Sequence, residues 1–114
     1  MAAIAFVFAG QGAQYPSMGR SLYGLPSARA VFDHSERIRP GTLAQCFEGG
    51  DALNSTINVQ PCVYTVALAA AQALTHAGVR PNALAGFSLG ECTALAYAGV
   101  FAPGDGLRFV MERA

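Results

Sequence analysis

Apolar and polar positions along this chain switch between a run pattern and a helical period, and the switches fall at glycine and proline. Ile4 to Ala9 is a continuous apolar run closed by Gly10, the pattern of a short strand buried on both faces. A glycine-punctuated loop follows, Gly10-Gln11-Gly12-Ala13-Gln14, and Pro16 continues it. From Ser27 to about Arg37 the spacing becomes helical, with Ser27 the expected N-cap and Ala30, Val31, His34 and Ile38 on one face. Pro40-Gly41 stops that helix, and Thr42 to Phe47 predicts a short one before Gly49-Gly50. Val59 to about Ala77 is the clearest helix, carrying Val63, Val66, Leu68, Ala69 and Leu74 and closing at Gly78. So much of its circumference is apolar that other elements must cover it. Pro81 breaks the chain, Asn82 to Phe87 predicts a second strand, and a helix then runs to about Ala98 and ends at Gly99. Pro103 opens a last helix with Leu107, Val110 and Met111 on one face.

Strand, helices, strand, helix is an α/β order, with parallel strands and an active edge at their C-terminal ends. Met111-Glu112-Arg113-Ala114 has the pattern of a helix in progress, without a cap or a following strand. Two strands leave sheet edges unpaired. The expectation is an incomplete domain, or a chain that associates with a partner to cover those edges.

Composition narrows the classes. The 114 residues are 53% hydrophobic and 12% charged, which excludes a disordered chain and suits one domain with a modest core. Formal net charge is zero and every cation is an arginine, so no basic surplus supports nucleic-acid binding. Arg29, Arg37 and Arg39 with Asp33 and Glu36 suggest a solvated helix face. Cys46, Cys62 and Cys92 lack metal or redox spacing and are expected to be buried thiols of a cytoplasmic protein; Cys92 could be a second thiol near the site discussed next. No metal site is expected. The start, Met1-Ala2-Ala3-Ile4, has no basic n-region of a secretory leader, and the apolar stretch Val63 to Leu74 is too short to span a bilayer.

The chemistry concentrates in Gly86-Phe87-Ser88-Leu89-Gly90-Glu91. G-x-S-x-G between a strand and a helix is the pattern of a nucleophile elbow, which holds a serine in a strained turn with its hydroxyl exposed. The helix N-terminus favours developing negative charge there by roughly 0.3–1 kcal/mol, too little to activate a hydroxyl unaided. A general base is required. His34 and His76 are the only histidines, and both are better explained as helix residues; Glu91 is better placed to cap and charge its helix N-terminus.

Phe8-Ala9-Gly10-Gln11-Gly12-Ala13-Gln14, Asn58-Val59-Gln60-Pro61 and Gly86-Phe87-Ser88-Leu89-Gly90-Glu91 together resemble one family. They are similar to the N-terminal portion of malonyl-CoA:acyl carrier protein transacylases and the related acyltransferase domains of polyketide synthases. The resemblance implies an α/β-hydrolase-like parallel sheet, residues 1–114 forming the first part of the catalytic domain. It implies that Ser88 takes an acyl group from a coenzyme A thioester and passes it to the thiol of acyl carrier protein, with no resident cofactor and no membrane. It implies an oxyanion hole of the Gln11 and Leu89 backbone N–H groups, Arg113 paired with the malonyl carboxylate, and Gln60 lining the acyl pocket. Phe87 stands where histidine is usual in the family and Ala9 where proline is common. The family's catalytic histidine, its asparagine and a small inserted subdomain correspond to no part of these 114 residues, so the chain alone is expected to be inactive or weakly active. Two other readings remain open: a small serine hydrolase using His34 or His76, and a non-catalytic module.

Overall fold

The computed structural model describes residues 3–114; Met1 and Ala2, on which the expectation about a leader partly rests, lie outside them. Strands β1 (Ala5–Phe8) and β2 (Ala83–Gly86) pair in parallel, with Ala5 opposite Ala83 and Phe8 opposite Gly86. Asn82 fixes this register. Its Oδ1 accepts the Ile4 N–H at 2.8 Å and its own N–H donates to the Ile4 carbonyl at 2.7 Å. Between the strands run α1 (Pro26–Ile38), α2 (Thr42–Glu48) and α3 (Thr56–His76); after β2 come α4 (Leu89–Tyr97) and α5 (Pro103–Arg113). Two 3-10 turns, Arg20–Leu22 and Gly50–Asn54, went unpredicted because their sequences carry no period. The mixed α/β architecture is the expected one.

Helix α3 is the hub. Its Val59, Cys62, Tyr64, Leu68 and Ala69 are buried, and α1, α2, α4 and α5 all pack on it. It has 21 residues, long enough and apolar enough to cross a membrane by length and composition, whereas the Val63–Leu74 stretch alone suggested otherwise. Just over half of its apolar stretch is buried against neighbouring elements, while Ile57 and Leu74 stay exposed. It starts a turn earlier than expected because Pro61 is tolerated inside it. The hydrogen bond that proline cannot donate would reach the Ile57 carbonyl, in a first turn where Ile57 is 62% exposed. Gly78 and Gly99 do close α3 and α4. The N–H groups of Val79 and Val100 return to the carbonyls of Leu74 and Leu95, around glycines at φ 98° and 83°.

Several expectations are corrected by tertiary packing. Strand β1 buries one face only: Phe6 and Phe8 point into the core while Val7 is 75% exposed. The N-cap of α1 is Leu25, with Pro26 as the first helical residue, so Ser27 caps nothing. The fully buried stripe of α1 is Ala28, Phe32 and Ser35, and Val31 and Ile38 only flank it. In α5, Leu107 and Val110 are buried but Met111 is 37% exposed.

Of the charged residues on and just after α1, Arg29 and Arg37 are exposed, as expected of a solvated face, whereas Asp33, Glu36 and Arg39 hold other elements. Glu36 accepts the Gly41 and Leu43 N–H groups at 2.8 and 2.9 Å and so caps α2 from outside. Asp33 accepts the Tyr23 hydroxyl. Arg39 donates to Thr42, Gln45 and Asn58, tying α2 to the start of α3. Cys46, Cys62 and Cys92 are all free and buried, as expected.

Candidate active site

Two residues, Phe87 and Ser88, separate the end of β2 from the start of α4. So tight a turn forces Ser88 to φ 55° and ψ −110°, outside the regions open to ordinary L-residues, a strain of about 1–3 kcal/mol. The backbone around it holds the strain in place. Phe87 N–H donates to the Phe8 carbonyl at 3.2 Å, Gly90 N–H to Phe87 and Glu91 N–H to Ser88 at 3.0 and 2.9 Å. The spaced glycines follow from the same crowding: a Cβ at Gly90 would run into the Phe8 carbonyl, and one at Gly86 into the Gly90 backbone. Leu89 anchors the turn, 1% exposed, which leaves Ser88 facing outward.

The Gln11 loop lies alongside, because parallel neighbours end at the same edge. A Cβ at Gly10 would sit 2.6 Å from the Phe87 carbonyl oxygen, so the two loops touch. Among the described residues, neither the Gln11 nor the Leu89 N–H has a hydrogen-bond acceptor. The Gln11 side chain is tied to the first turns of α3: its Oε1 accepts the Thr56 hydroxyl at 2.9 Å and Gln60 Nε2 at 3.5 Å. Gln60 also donates to Thr56 at 3.0 Å. Gln60 is therefore brought to the Gln11 loop. Thr56 was not anticipated, although a hydroxyl one helical turn before Gln60 is the signal that could have found it.

Arg113, at the far end of α5, turns its guanidinium onto the serine. Nη2 lies 3.4 Å from Ser88 Oγ and Nη1 lies 3.4 Å from Cys92 Sγ. This is the one side-chain partner of the Ser88 hydroxyl among the described residues. Cys92 is thus next to the site, as its position one turn after Ser88 suggested. Glu91 is exposed in the first turn of α4, where the helix dipole was expected to place it, but among the described residues its carboxylate accepts no backbone N–H.

Neither histidine reaches this edge. His76 ends α3, about 24 Å along the helix from Gln60 at about 1.5 Å per residue. His34 packs beside Gly104 in the first turn of α5, about 14 Å along that helix from Arg113.

The sequence and the fold both have counterparts among known proteins. Residues 5–114 match the profile of the acyl transferase domain family. The chain is 37% identical over 116 residues to the malonyl CoA-acyl carrier protein transacylase of Bacillus subtilis (strain 168), covering 99% of this chain and 37% of that protein. It is 38% identical to the mitochondrial malonyl-CoA-acyl carrier protein transacylase of Mus musculus, covering 95% and 30%. The crystal structure of an acyl-carrier-protein S-malonyltransferase from Burkholderia pseudomallei superposes with a TM-score of 0.93 at 36% identity, over 98% of this chain and 38% of that one. A malonyl-transacylase solved in complex with its type II polyketide synthase acyl-carrier protein superposes at 0.90 and 30% identity, over 98% and 38%. The chain spans about a third of the length of these relatives. By sequence and by fold alike, it belongs to the acyl transferase domain family.

Proposed function

We propose that these 114 residues carry the acyl-serine half of a malonyl-CoA:acyl carrier protein transacylase site. The observation that carries the reading is the Arg113 guanidinium 3.4 Å from the hydroxyl of a serine held at φ 55°. An exposed, strained serine at a strand-to-helix turn is the nucleophile elbow of an α/β-hydrolase-like sheet. A cation beside it is out of place for a plain ester hydrolase. For an acyl group bearing its own carboxylate it supplies a two-pronged partner that a lysine would not match.

In this mechanism Ser88 Oγ attacks the thioester carbonyl and coenzyme A leaves as its thiol. The tetrahedral oxyanion is held by the Gln11 and Leu89 N–H groups, whose lack of other acceptors suits that role. Gln60 and Thr56 hold the Gln11 loop in place, and Gln60 lines the acyl pocket. The thiol of acyl carrier protein then attacks the acyl-serine, completing a ping-pong transfer. Neither His34 nor His76 lies within reach of the Ser88 proton, which removes support from a hydrolase built on either. We assign the base to a histidine outside these residues, in the part of the domain to which the other two thirds of the relatives correspond. General-base assistance is worth about 10²–10⁴-fold, so the chain alone acylates slowly.

Intact-mass measurement after incubation with malonyl-CoA tests both parts. The expected result is slow malonyl addition, absent in Ser88→Ala and lost relative to acetyl-CoA in Arg113→Ala. Addition that survives Ser88→Ala overturns the nucleophile, and rapid stoichiometric acylation overturns the missing base.

A further inference from the structure

The two contacts of the Arg113 guanidinium are equal in length but differ in how well that length suits the acceptor. An N–H···O hydrogen bond prefers 2.7–3.2 Å, so 3.4 Å to Ser88 Oγ is a long contact. Sulfur has a larger radius, and 3.4 Å from Nη1 to Cys92 Sγ is an ordinary donor–sulfur distance. By distance the sulfur contact is the better formed of the two, and the weak acceptor strength of a thiol is offset by the fixed place of this one. Cys92 is suited to the part. It lies in the first turn of α4, four residues after Ser88, and both side chains contact Arg113. It is 6% exposed and belongs to the core cluster with Leu89, Ala96 and Val110, which fixes its Sγ. Arg113 is the opposite: it is exposed, in the last turn of α5, on a long side chain with many rotamers.

We propose that Cys92 is a positioning residue of this site, its buried thiol accepting one N–H of Arg113 and holding the guanidinium fork beside Ser88. With Nη1 parked on sulfur, the rest of the fork faces the space over Ser88 Oγ where an acyl carboxylate would lie. Without the thiol the side chain samples solvent-facing rotamers, and the carboxylate must restrain it on binding. Cys92 thereby tunes selectivity for carboxylated over plain acyl thioesters without touching either. This inference rests on the assignment of Arg113 to the substrate carboxylate.

The test is binding, which needs no general base. Calorimetric titration of the 114-residue chain with malonyl-CoA and acetyl-CoA gives the preference for the carboxylated ligand. The expected result is a clear preference in the natural chain, lost in Arg113→Ala. In Cys92→Ala it falls about three- to tenfold with acetyl-CoA affinity unchanged, and Cys92→Ser restores part of it. An undiminished preference in Cys92→Ala overturns the positioning role and leaves the proposed function standing. No preference in the natural chain overturns the assignment of Arg113 and this inference with it. Should Cys92→Ala not fold, the Arg113 side-chain signals of the natural chain in a ¹H–¹⁵N spectrum decide. Resolved, slowly exchanging Nη protons support a held guanidinium, and a single averaged signal overturns it.

Discussion

At the scale of the residue, the charged and phenolic side chains illustrate how position alone changes a role. Glu36 lies on α1 yet satisfies two N–H groups at the start of α2, where a carboxylate also meets the positive end of the helix. Glu36→Ala is expected to cost about 1–2 kcal/mol, measured by urea denaturation, and Glu36→Gln to recover part of it. Tyr64 is buried and donates its hydroxyl to the Pro103 carbonyl at 2.7 Å. Burial first, and then the neighbouring Cys92, push its phenol up from the ordinary value. A phenol raised on folding stabilises the protein fully below its unfolded value of about 10, and that stability drains away as pH rises toward the folded value. The melting temperature should therefore fall above about pH 10. Tyr64→Phe should lose about 1 kcal/mol at neutral pH and show a shallower alkaline decline. An equal decline in both proteins would refute the assignment. Tyr23, raised chiefly by its bond to Asp33, adds to the decline in the same direction and is unchanged in the comparison.

At the scale of the element, the sequence pattern was most readable where local chemistry closes on itself. Gly78 and Gly99 ended their helices as their sequence positions indicated, because a left-handed closing residue is a local demand. Starts were less legible. Ser27 has the side chain of an N-cap, but the chain enters α1 through Pro26, whose fixed φ already suits a first turn. The strand-to-helix turn combines both kinds of information. Its G-x-S-x-G spacing is local, while the reason for the last glycine, the Phe8 carbonyl, comes from a strand some eighty residues earlier in the chain. Gly90→Ala is therefore expected to be far more damaging than Gly99→Ala, where nothing lies within 4 Å of a new Cβ and only the positive φ opposes it. Thermal melts should show loss of cooperative folding for Gly90→Ala and a drop of about 1 kcal/mol for Gly99→Ala.

At the scale of the whole molecule, the two-stranded sheet has two open edges, and an apolar groove of about 400 Å³ lies between β1 and α3, lined by Phe6, Phe8, Tyr15, Val66 and Leu74. Val7, on the outer face of β1, and Phe87 beside the site are 75% and 78% exposed. Such surface promotes self-association through unpaired strands. Light scattering of the isolated chain should show concentration-dependent association, reduced by Val7→Lys, which places a charge on the exposed face of β1. A chain that stays monomeric at all concentrations would contradict this. The single salt bridge among the described residues, Arg108 to Asp105, is exposed and contributes little, so stability rests on the packing around α3.

By itself the sequence determined the order of the main elements, the parallel sense of the two strands, and the serine at the tight turn after the second. Each is encoded within a few residues, by period, proline, glycine and spacing. Tertiary structure decided which apolar faces are covered: β1 looked buried on both sides, yet only Phe6 and Phe8 meet helices. It decided that the charges of α1 cap and tie other elements, and that His34 and His76 stand away from Ser88. It also decided that Arg113 and Cys92, twenty-one residues apart, meet over that serine, because α4 and α5 pack side by side. Contacts of that kind depend on where helices lie in space, and no local pattern of residues records it.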